Sequence, residues 1–479
     1  MSNLQASPEP QAVAPVSYAS AALAIVVGTL AAILVLPHDY YEPGGLRASA
    51  VCLTLGLLAG PMLSSLSDLR GWLRAESIMM LGLVYWLLTE LFYADYSAYQ
   101  LTQDGVIRAY TYIGMFALSI QFGSWLAHHW RLGRRDSPPP PDFSDNWLFA
   151  ALVVCSVLGL LARLIPCGFS PECVAEGLFG SRAVGAWNQG TLGGSGAFVH
   201  HLGYFGYLSL PLTVALHHRA GRINWRVVLG VLLTLFFLLF LIKDGGRRLV
   251  GMVAGSGLLT WLLLQRRMGP RQVATGAIAG LALLALMELM LVFRLSEGGI
   301  VSNLFSGRAF ELNPLEEGPK VDNNFNSLVR TLDLIPQFEP HTGWEAIIYW
   351  IVRPIPRALW PGKPINPGID IPWELHERWG EGFTLTISAV GDWYIAFGLI
   401  SVVLAGLMMG FLGGRLVMAW MRPRLRDTVL YSLGAMCLFI GLRSYLELIL
   451  MSYPILALLV IEKITMKRAA RQLAVSAAT

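Results

Sequence analysis

The sequence KDGGRR at residues 243–248 concentrates charge in a very short turn between two apolar segments. It carries three cations, Lys243, Arg247 and Arg248, beside two glycines. Glycines let backbone N–H groups approach an anion, and guanidinium groups bind phosphate oxygens through two parallel hydrogen bonds. The alternative is that these charges only reach out to the membrane interface. The pattern predicts a turn that binds phosphate or pyrophosphate at the membrane surface.

A second basic segment, HTGWEAIIYWIVRPIPRALWPGKP at residues 341–364, surrounds a short apolar stretch. This stretch, 346–352, is too short to cross about 30 Å of hydrocarbon, and two prolines that break helices follow it. It predicts an interfacial or re-entrant helix, since irregular backbone is tolerated at membrane depth where it lines a cavity. The alternative is an amphipathic helix on the bilayer surface with its basic residues at lipid headgroups. These basic residues are Arg353, Arg357 and Lys363.

Ionisable residues inside apolar segments are candidates for function, because a charge within a bilayer is costly. Arg443 and Glu447 are four residues apart, a spacing that predicts a structural ion pair. The others that we place towards the outer half of their segments are Glu90, Arg163 and Glu288.

The composition indicates that a membrane surrounds these residues. Hydrophobic residues make up 55% of the 479-residue chain and charged residues 14%, about half the charged fraction that is usual in globular proteins. The net charge of +4 is too small and too scattered to indicate nucleic-acid binding. No HExxH, DxD, G-x-S-x-G or Walker signature is present, which disfavours a protease, an ATPase and a nucleotide-sugar transferase.

Twelve apolar segments approach the length that crosses a bilayer, which predicts an all-α polytopic membrane protein with about 12 transmembrane helices. Loops on one side are short and rich in lysine and arginine, and the positive-inside rule places that side, with both termini, in the cytoplasm. The segments are about 18–36, 47–66, 76–93, 106–127, 147–165, 199–216, 226–242, 249–264, 273–293, 388–410, 428–443 and 445–461.

These segments divide the chain into regions. We expect a disordered cytoplasmic tail at 1–17, nine transmembrane helices over 18–293, a periplasmic loop over 294–387, three helices over 388–461 and a basic cytoplasmic tail at 462–479.

A shorter outer loop carries the sequence CGFSPEC. Its two cysteines, Cys167 and Cys173, can form a disulfide if this loop faces an oxidising compartment. The other three cysteines lie singly in apolar segments and are expected to be small packing residues.

Three motifs resemble the bacterial oligosaccharide repeat-unit polymerases, the Wzy-type O-antigen and exopolysaccharide polymerases. IPRALWPGKP at 355–364 has the proline-bracketed Pro-Arg and the aromatic-Pro-x-Lys-Pro of that family. SAVGDWYIAFGLISVVLAGLMMG at 388–410 is similar to the family's Gly-acidic-x-Tyr-x-x-Phe-Gly entry into a late span, with Asp392 in place of a glutamate. GGRR at 245–248 resembles the family's short Arg-Gly outer turn, although glycine precedes arginine here. The resemblance mainly covers residues 240–410.

The resemblance implies a membrane glycosyltransferase at the outer face of a bacterial inner membrane. Such an enzyme transfers a growing glycan from its polyprenyl pyrophosphate to a sugar hydroxyl on a second lipid-linked oligosaccharide. It implies no nucleotide, no cofactor and no metal. The expected partners are the lipid-linked donor and acceptor, the bilayer, a flippase and a chain-length regulator, and no nucleic acid.

Site residues follow from this chemistry. Outer cations would hold the pyrophosphate and stabilise the charge that develops as it leaves. An acceptor hydroxyl also benefits from a general base, and a histidine has a suitable pKa, although a surface histidine is the plain alternative. The predicted pyrophosphate-binding residues are Lys243, Arg247, Arg248, Arg353, Arg357, Lys363 and Arg443, and the predicted catalytic residues are His341, Glu345, Asp392 and Arg357.

Two other functions fit the same pattern. An O-antigen ligase-like transferase would use the same donor with lipid A or a protein as acceptor. A lipid-linked oligosaccharide flippase or another transporter should carry ionisable groups near mid-membrane at the interface of two repeats. The ionisable residues of this chain collect at the outer rim, which favours an enzyme.

Overall fold

In the computed structural model of this chain, the described residues form helices joined by turns and contain no β-strand. The described residues are 17–38, 44–93, 101–130, 142–179, 195–243, 246–265, 268–292, 322–353, 355, 359–363, 386–422 and 424–478. The helices are α1 (Tyr18–Leu34), α2 (Arg47–Ser65), α3 (Ala75–Leu83), α4 (Gln103–His129), α5 (Asp145–Leu164), α6 (Pro171–Phe179), α7 (Ser195–Leu202), α8 (Ser209–Ala220), α9 (Trp225–Lys243), α10 (Arg247–Leu263), α11 (Pro270–Val292), α12 (Asn324–Leu334), α13 (Trp344–Val352), α14 (Ser388–Phe397), α15 (Leu399–Trp420), α16 (Leu425–Gly441) and α17 (Tyr445–Ala478).

Within the described part of the chain, seven helices are long and apolar enough to cross a membrane. Each of the twelve predicted apolar segments coincides with helical residues, so the all-α class is confirmed. The chain is therefore an all-α, membrane-embedded protein, and the total of twelve spans remains a prediction. The seven helices are Arg47–Ser65, Ala75–Phe92, Asp145–Leu164, Trp225–Lys243, Pro270–Met290, Leu399–Trp420 and Tyr445–Thr465.

Helices α4 and α15 pack together along much of their length, because glycines allow their backbones to approach closely. A Cβ atom at Gly410 would overlap the carbonyl oxygen of Ile120, and one at Gly123 would overlap that of Leu407. No larger residue fits at these two positions, and small residues at helix interfaces promote close packing in membranes. α4 also carries Tyr110, one of the largest fully buried side chains.

The predicted span at 388–410 is divided into two helices. α14 ends at Phe397 and α15 begins at Leu399, with Gly398 between them at φ 67° and ψ −149°. Glycine adopts this positive φ easily because it has no Cβ, whereas other residues are strained there. The membrane-crossing helix therefore runs from Leu399 to Trp420, and α14 is a separate short helix outside the seven candidate spans.

The short helix predicted at 346–352 is confirmed as α13, which ends two residues before the first of the two prolines. Ala346, Tyr349 and Trp350 are buried on one face, whereas Trp344 and Ile351 are exposed. The buried face packs against α14 and α17. The position of α13 at the membrane interface remains a prediction.

The structure describes the predicted C-terminal tail but almost none of the predicted N-terminal tail. The tail at 462–479 continues α17, which runs from Tyr445 to Ala478 as one helix. The tail at 1–17 lies, apart from Ser17, outside the described residues. Most of the predicted periplasmic loop also lies outside them, except for α12, α13 and the residues next to these helices.

Cys167 and Cys173 form a disulfide that closes the turn between α5 and α6. Of the other cysteines, Cys155 and Cys437 are buried and Cys52 is half-buried, as expected of small side chains that pack between helices. The disulfide fastens the turn at the C-terminal end of α5.

Candidate functional site

The first turn of α10 carries two of the predicted pyrophosphate-binding residues, Arg247 and Arg248. α10 begins at Arg247, directly after Gly246. Both guanidinium groups therefore stand at a helix N-terminus, where unpaired backbone N–H groups add partial positive charge. The Arg247 side chain is 9% exposed and that of Arg248 is 39% exposed. One cation is sheltered and the other faces the surface.

The turn between α16 and α17 carries a third arginine, Arg443. α16 ends at Gly441 and α17 begins at Tyr445. Asp392 on α14 fixes this turn, because its Oδ2 accepts hydrogen bonds from Ser444 Oγ at 3.0 Å and from the backbone N–H of Tyr445 at 2.7 Å. Asp392 thus positions the arginine through the residues that follow it.

Asp322 connects these two arginine-bearing segments. Its Oδ1 accepts from Arg247 Nη2 at 2.8 Å, and its Oδ2 accepts from Arg443 Nε at 2.6 Å. Burial alone would raise the pKa of Asp322, but the nearby guanidinium groups of Arg443 and Arg247 outweigh burial and lower that pKa to about 2. Asp322 is therefore an anion throughout the neutral pH range.

Glu447 in the first turn of α17 completes a group that we call the arginine cluster. Its Oε1 accepts from Arg443 Nη1 and from Arg248 Nη1, each at 2.7 Å. The predicted Arg443–Glu447 ion pair is thereby confirmed. The cluster consists of Arg247, Arg248, Arg443, Asp322 and Glu447, and its three cations and two anions give it a formal charge of +1.

The helix that follows Asp322, α12, is held at its N-terminus by Glu90. The two oxygens of Glu90 accept from the backbone N–H groups of Phe325 at 3.1 Å and Asn326 at 2.9 Å. A carboxylate at this position satisfies unpaired donors and interacts favourably with the helix dipole. Glu90, which the sequence marks as a candidate for function, therefore anchors α12.

Trp86 contacts the cluster, and two tyrosines lie within electrostatic range of it. The guanidinium carbon of Arg443 is 5.9 Å from the centroid of a Trp86 ring, within the range of a cation–π contact. Tyr204 and Tyr85 interact electrostatically with cluster residues and with charged residues around them. The surrounding charged residues are Arg163 and Arg353 near Tyr204, and Glu288 near Tyr85.

Three of the remaining predicted cations have different surroundings. Lys243 is the last residue of α9 and is 9% exposed, and no ion pair joins it to a carboxylate in the described ranges. Arg353 follows α13, and its guanidinium carbon lies 5.4 Å from the ring centroid of Tyr349. Arg357 lies outside the described residues. Their roles in pyrophosphate binding remain predictions.

Lys363 binds the C-terminal end of α13. Its Nζ donates to the backbone carbonyl oxygens of Arg353 at 2.7 Å and Ile355 at 2.9 Å. Carbonyl groups at a helix C-terminus lack partners within the helix, and a cation there is stabilising. This contact fixes the chain just after α13, and the predicted contact of Lys363 with pyrophosphate remains a prediction.

The candidate bases are separated from one another. His341 is exposed, and its ring centroid lies 5.5 Å from that of Tyr394, whose hydroxyl donates to the carbonyl of Ile335 after the C-terminus of α12. Asp322 precedes the N-terminus of α12, and this 11-residue helix is about 16 Å long. His341 and the arginine cluster therefore lie at opposite ends of α12. Glu345 is exposed in the first turn of α13.

Among the three candidate bases, Asp392 is the one that contacts the turn bearing Arg443.

Metal-binding side chains are not grouped in the described part of the chain. The structurally described part of the chain contains no group of three or more His, Cys, Asp or Glu side chains that could hold a metal ion. The expectation that the protein needs no metal or cofactor remains a prediction.

Asp322 is the main residue that sequence reasoning missed. The aspartate and two asparagines at 322–324 are typical of a helix start and could have predicted the beginning of α12. No local pattern could have paired Asp322 with Arg247 and Arg443, which are 75 and 121 residues away in the chain. Trp86 and Tyr204 were missed for the same reason.

Comparisons with protein-family models, with curated proteins and with solved structures found no match to this chain. The geometry of the arginine cluster is therefore the main basis on which a function can be proposed.

Proposed function

We propose that this chain is a membrane glycosyltransferase that joins polyprenyl-pyrophosphate-linked oligosaccharide repeat units into an O-antigen or exopolysaccharide. The arginine cluster carries the proposal, because three guanidinium groups meet at one end of a bundle of apolar helices. The planar fork of arginine matches phosphate oxygens, and a lipid-linked pyrophosphate reaches such a site from the bilayer.

In the proposed reaction, the hydroxyl of an acceptor sugar attacks the anomeric carbon of the growing glycan. The bond from this carbon to the pyrophosphate oxygen breaks, the hydroxyl proton passes to a base, and polyprenyl pyrophosphate leaves as an anion. Arg247, Arg248 and Arg443 stabilise the charge that develops on the leaving oxygen. Asp392 is the favoured base on position, because it contacts the turn that carries Arg443.

We further propose that the arginine cluster faces the periplasm of a bacterial cell, in an inner-membrane protein with twelve spans. The disulfide after α5 supports this orientation, because disulfides persist in oxidising compartments. At the other end of α5, Asp145 pairs with Arg219, which lies just before the start of α9. The arginine cluster lies just after the end of α9, which is the end near the disulfide. The disulfide and the cluster are therefore at the same end of the bundle.

The test uses the purified full chain in liposomes with polyprenyl-pyrophosphate oligosaccharide as the sole substrate. A gel then resolves the ladder of added repeats. We expect Arg248→Ala to slow ladder formation by about 100-fold, because one cationic donor is lost from the charge that develops on the leaving group. Reduced rate with normal folding would support the cluster as the site of the chemistry.

Arg219→Ala is a matched control at the opposite end of the bundle. Its side chain is 38% exposed, against 39% for Arg248, and it is also paired with a carboxylate. We expect this variant to retain the normal ladder. Equal ladders from both variants would remove the arginine cluster from the reaction.

The same preparation separates the rival functions. Transfer of a preassembled glycan to added lipid A, without a ladder, would indicate a ligase-like transferase. Movement of lipid-linked oligosaccharide to the other leaflet, without any new glycosidic bond, would indicate a flippase. Either result would replace the polymerase proposal.

A further inference from the structure

We propose that Asp322 occupies the place of a substrate phosphate in the arginine cluster and leaves it when a pyrophosphate binds. The inference rests on the proposed function for the identity of the anion. It makes Asp322 a built-in competitor that closes the cluster in the absence of substrate.

The contacts of Asp322 are those that a phosphate group would make. Its two oxygens bind Nη2 of Arg247 and Nε of Arg443, which come from two separate turns. Arginine binds carboxylates and phosphates through the same planar, charge-assisted geometry. A phosphate oxygen that enters between these guanidinium groups must therefore compete with Asp322.

The charges of the cluster change in the required direction when Asp322 leaves. With Asp322 in place, the three arginines and two carboxylates give a formal charge of +1. Without Asp322 the remaining four residues carry +2. A pyrophosphate diester carries one negative charge on each phosphate, so the opened cluster neutralises it.

The helix after Asp322 has anchors that do not depend on the arginine cluster. Glu90 binds two backbone N–H groups in the first turn of α12. Asn324 Nδ2 donates to the carbonyl oxygen of Trp86 at 3.0 Å, and Thr386 Oγ1 donates to Asn324 Oδ1 at 2.6 Å. Asp322 is 25% exposed and lies before all these contacts, so it can leave the arginines while α12 stays in place.

The test measures the binding of inorganic pyrophosphate to the purified full chain by calorimetry, without magnesium and without glycan. We expect Asp322→Asn to bind pyrophosphate about tenfold more tightly than the original protein, because the variant keeps the shape of the side chain and removes the competing charge. If Asp322 served only to hold the arginines in position, the same substitution would weaken binding. The sign of the change therefore decides the question.

Asp333→Asn is the matched control at the other end of the same helix. Asp333 is 28% exposed and pairs with Arg108 at 2.6 Å, much as Asp322 pairs with Arg443. We expect this variant to bind pyrophosphate as the original protein does. Unchanged or weaker binding by Asp322→Asn, or no binding by any variant, would overturn the inference.

A second measurement keeps the original Asp322. A nitroxide spin label is attached at Asn323→Cys, which replaces an exposed residue next to Asp322, and a reference label at Glu339→Cys beyond the end of α12. We expect pyrophosphate to raise the mobility of the label at position 323 and to leave that at position 339 unchanged. Pyrophosphate that binds without changing the mobility at position 323 would mean that Asp322 stays in the cluster.

The outcomes also distinguish this inference from the proposed function. Tighter pyrophosphate binding by Asp322→Asn in a protein that forms no glycan ladder would keep the inference and remove the polymerase. A normal ladder from the original protein, with no gain in binding by Asp322→Asn, would keep the polymerase and remove the inference.

Discussion

Arginines meet carboxylates at both ends of the helix bundle, but in opposite proportions. At the end remote from the arginine cluster, Arg426 binds Glu462 through two hydrogen bonds and Asp427 through a third. Nearby, Arg74 pairs with Glu76 at 2.6 Å. One guanidinium group therefore faces two carboxylates at Arg426, whereas three guanidinium groups share two carboxylates in the cluster.

The ratio of arginines to carboxylates distinguishes an arginine that stabilises the fold from arginines that can bind a ligand. Glu462 and Asp427 are 6% and 3% exposed, and these buried carboxylates are tolerated because Arg426 forms an ion pair with each of them. The cluster keeps an excess positive charge and exposes Arg248, which leaves it able to attract an anion. The same kind of ion pair therefore serves the fold at one end and suits binding at the other, and substitutions at the two ends should have different effects.

The largest expected effect is on stability at the remote end. We expect Arg426→Met to lower the free energy of unfolding by about 3–5 kcal/mol, because it leaves two buried carboxylates without their cation. Denaturation of the detergent-solubilised protein measures this change. Arg422→Ala, at an exposed position nearby, should stay within about 0.5 kcal/mol of the original protein. An Arg426→Met protein of normal stability would invalidate the comparison.

The next effect is on activity within the cluster. We expect Arg443→Lys to reduce the rate of ladder formation by about 100-fold, or about 2.7 kcal/mol, because an ammonium group lacks the planar fork that would hold a phosphate oxygen while Glu447 stays bound. Arg219→Lys makes the same exchange at the remote end and should leave the rate unchanged. A normal rate for Arg443→Lys would mean that the arrangement of guanidinium groups is not needed.

Acid should weaken the cluster through Asp322. A carboxylate whose pKa is lower in the folded protein stabilises the fold above the pKa that it has when unfolded, and this contribution disappears as the pH falls through the folded pKa. With a folded pKa of about 2 against 3.8, Asp322 should contribute up to about 2 kcal/mol above pH 4, lost between about pH 4 and 2. Acid unfolding curves of the original protein and Asp322→Asn measure this term. Curves that stay parallel across this window would contradict the ion pairs assigned to Asp322.

The smallest effect concerns the helix beside the cluster. We expect Glu90→Gln to lower the free energy of unfolding by about 1 kcal/mol, because the amide has one acceptor oxygen and no charge for the N-terminus of α12. Hydrogen exchange at the amides of Phe325 and Asn326 should become faster. Glu339→Gln, in an exposed loop, is the control. Unchanged exchange at these two amides would mean that α12 is held by other contacts.

The sequence predicts the parts of the site that have a local pattern. GGRR predicts a turn before the span at 249–264, and the structure places its two arginines in the first turn of α10 instead; the four-residue spacing of Arg443 and Glu447 predicts their ion pair. Apolar runs likewise predict the helices, because the period and length of hydrophobic residues are local properties.

The parts that depend on distant contacts were not predictable in this way. Asp322 looks like one acidic residue among many in a long loop, and its partners are set by the tertiary fold. Glu90 was marked as a candidate for function by its place in an apolar segment, and its contact with the N-terminus of α12, 235 or more residues away in the chain, has no local pattern either. Gly398 lies inside an unbroken apolar run, and hydropathy carries no information about φ.

The break at Gly398 has a mechanical consequence. After Gly398, α15 packs tightly against α4 through close glycine contacts, which holds this part in place. Before Gly398, α14 is hydrogen-bonded to the turn bearing Arg443 through Asp392, so any movement of α14 would be passed to this turn. A tilt of α14 about Gly398 would therefore move the turn that bears Arg443 and leave the α4–α15 pair in place.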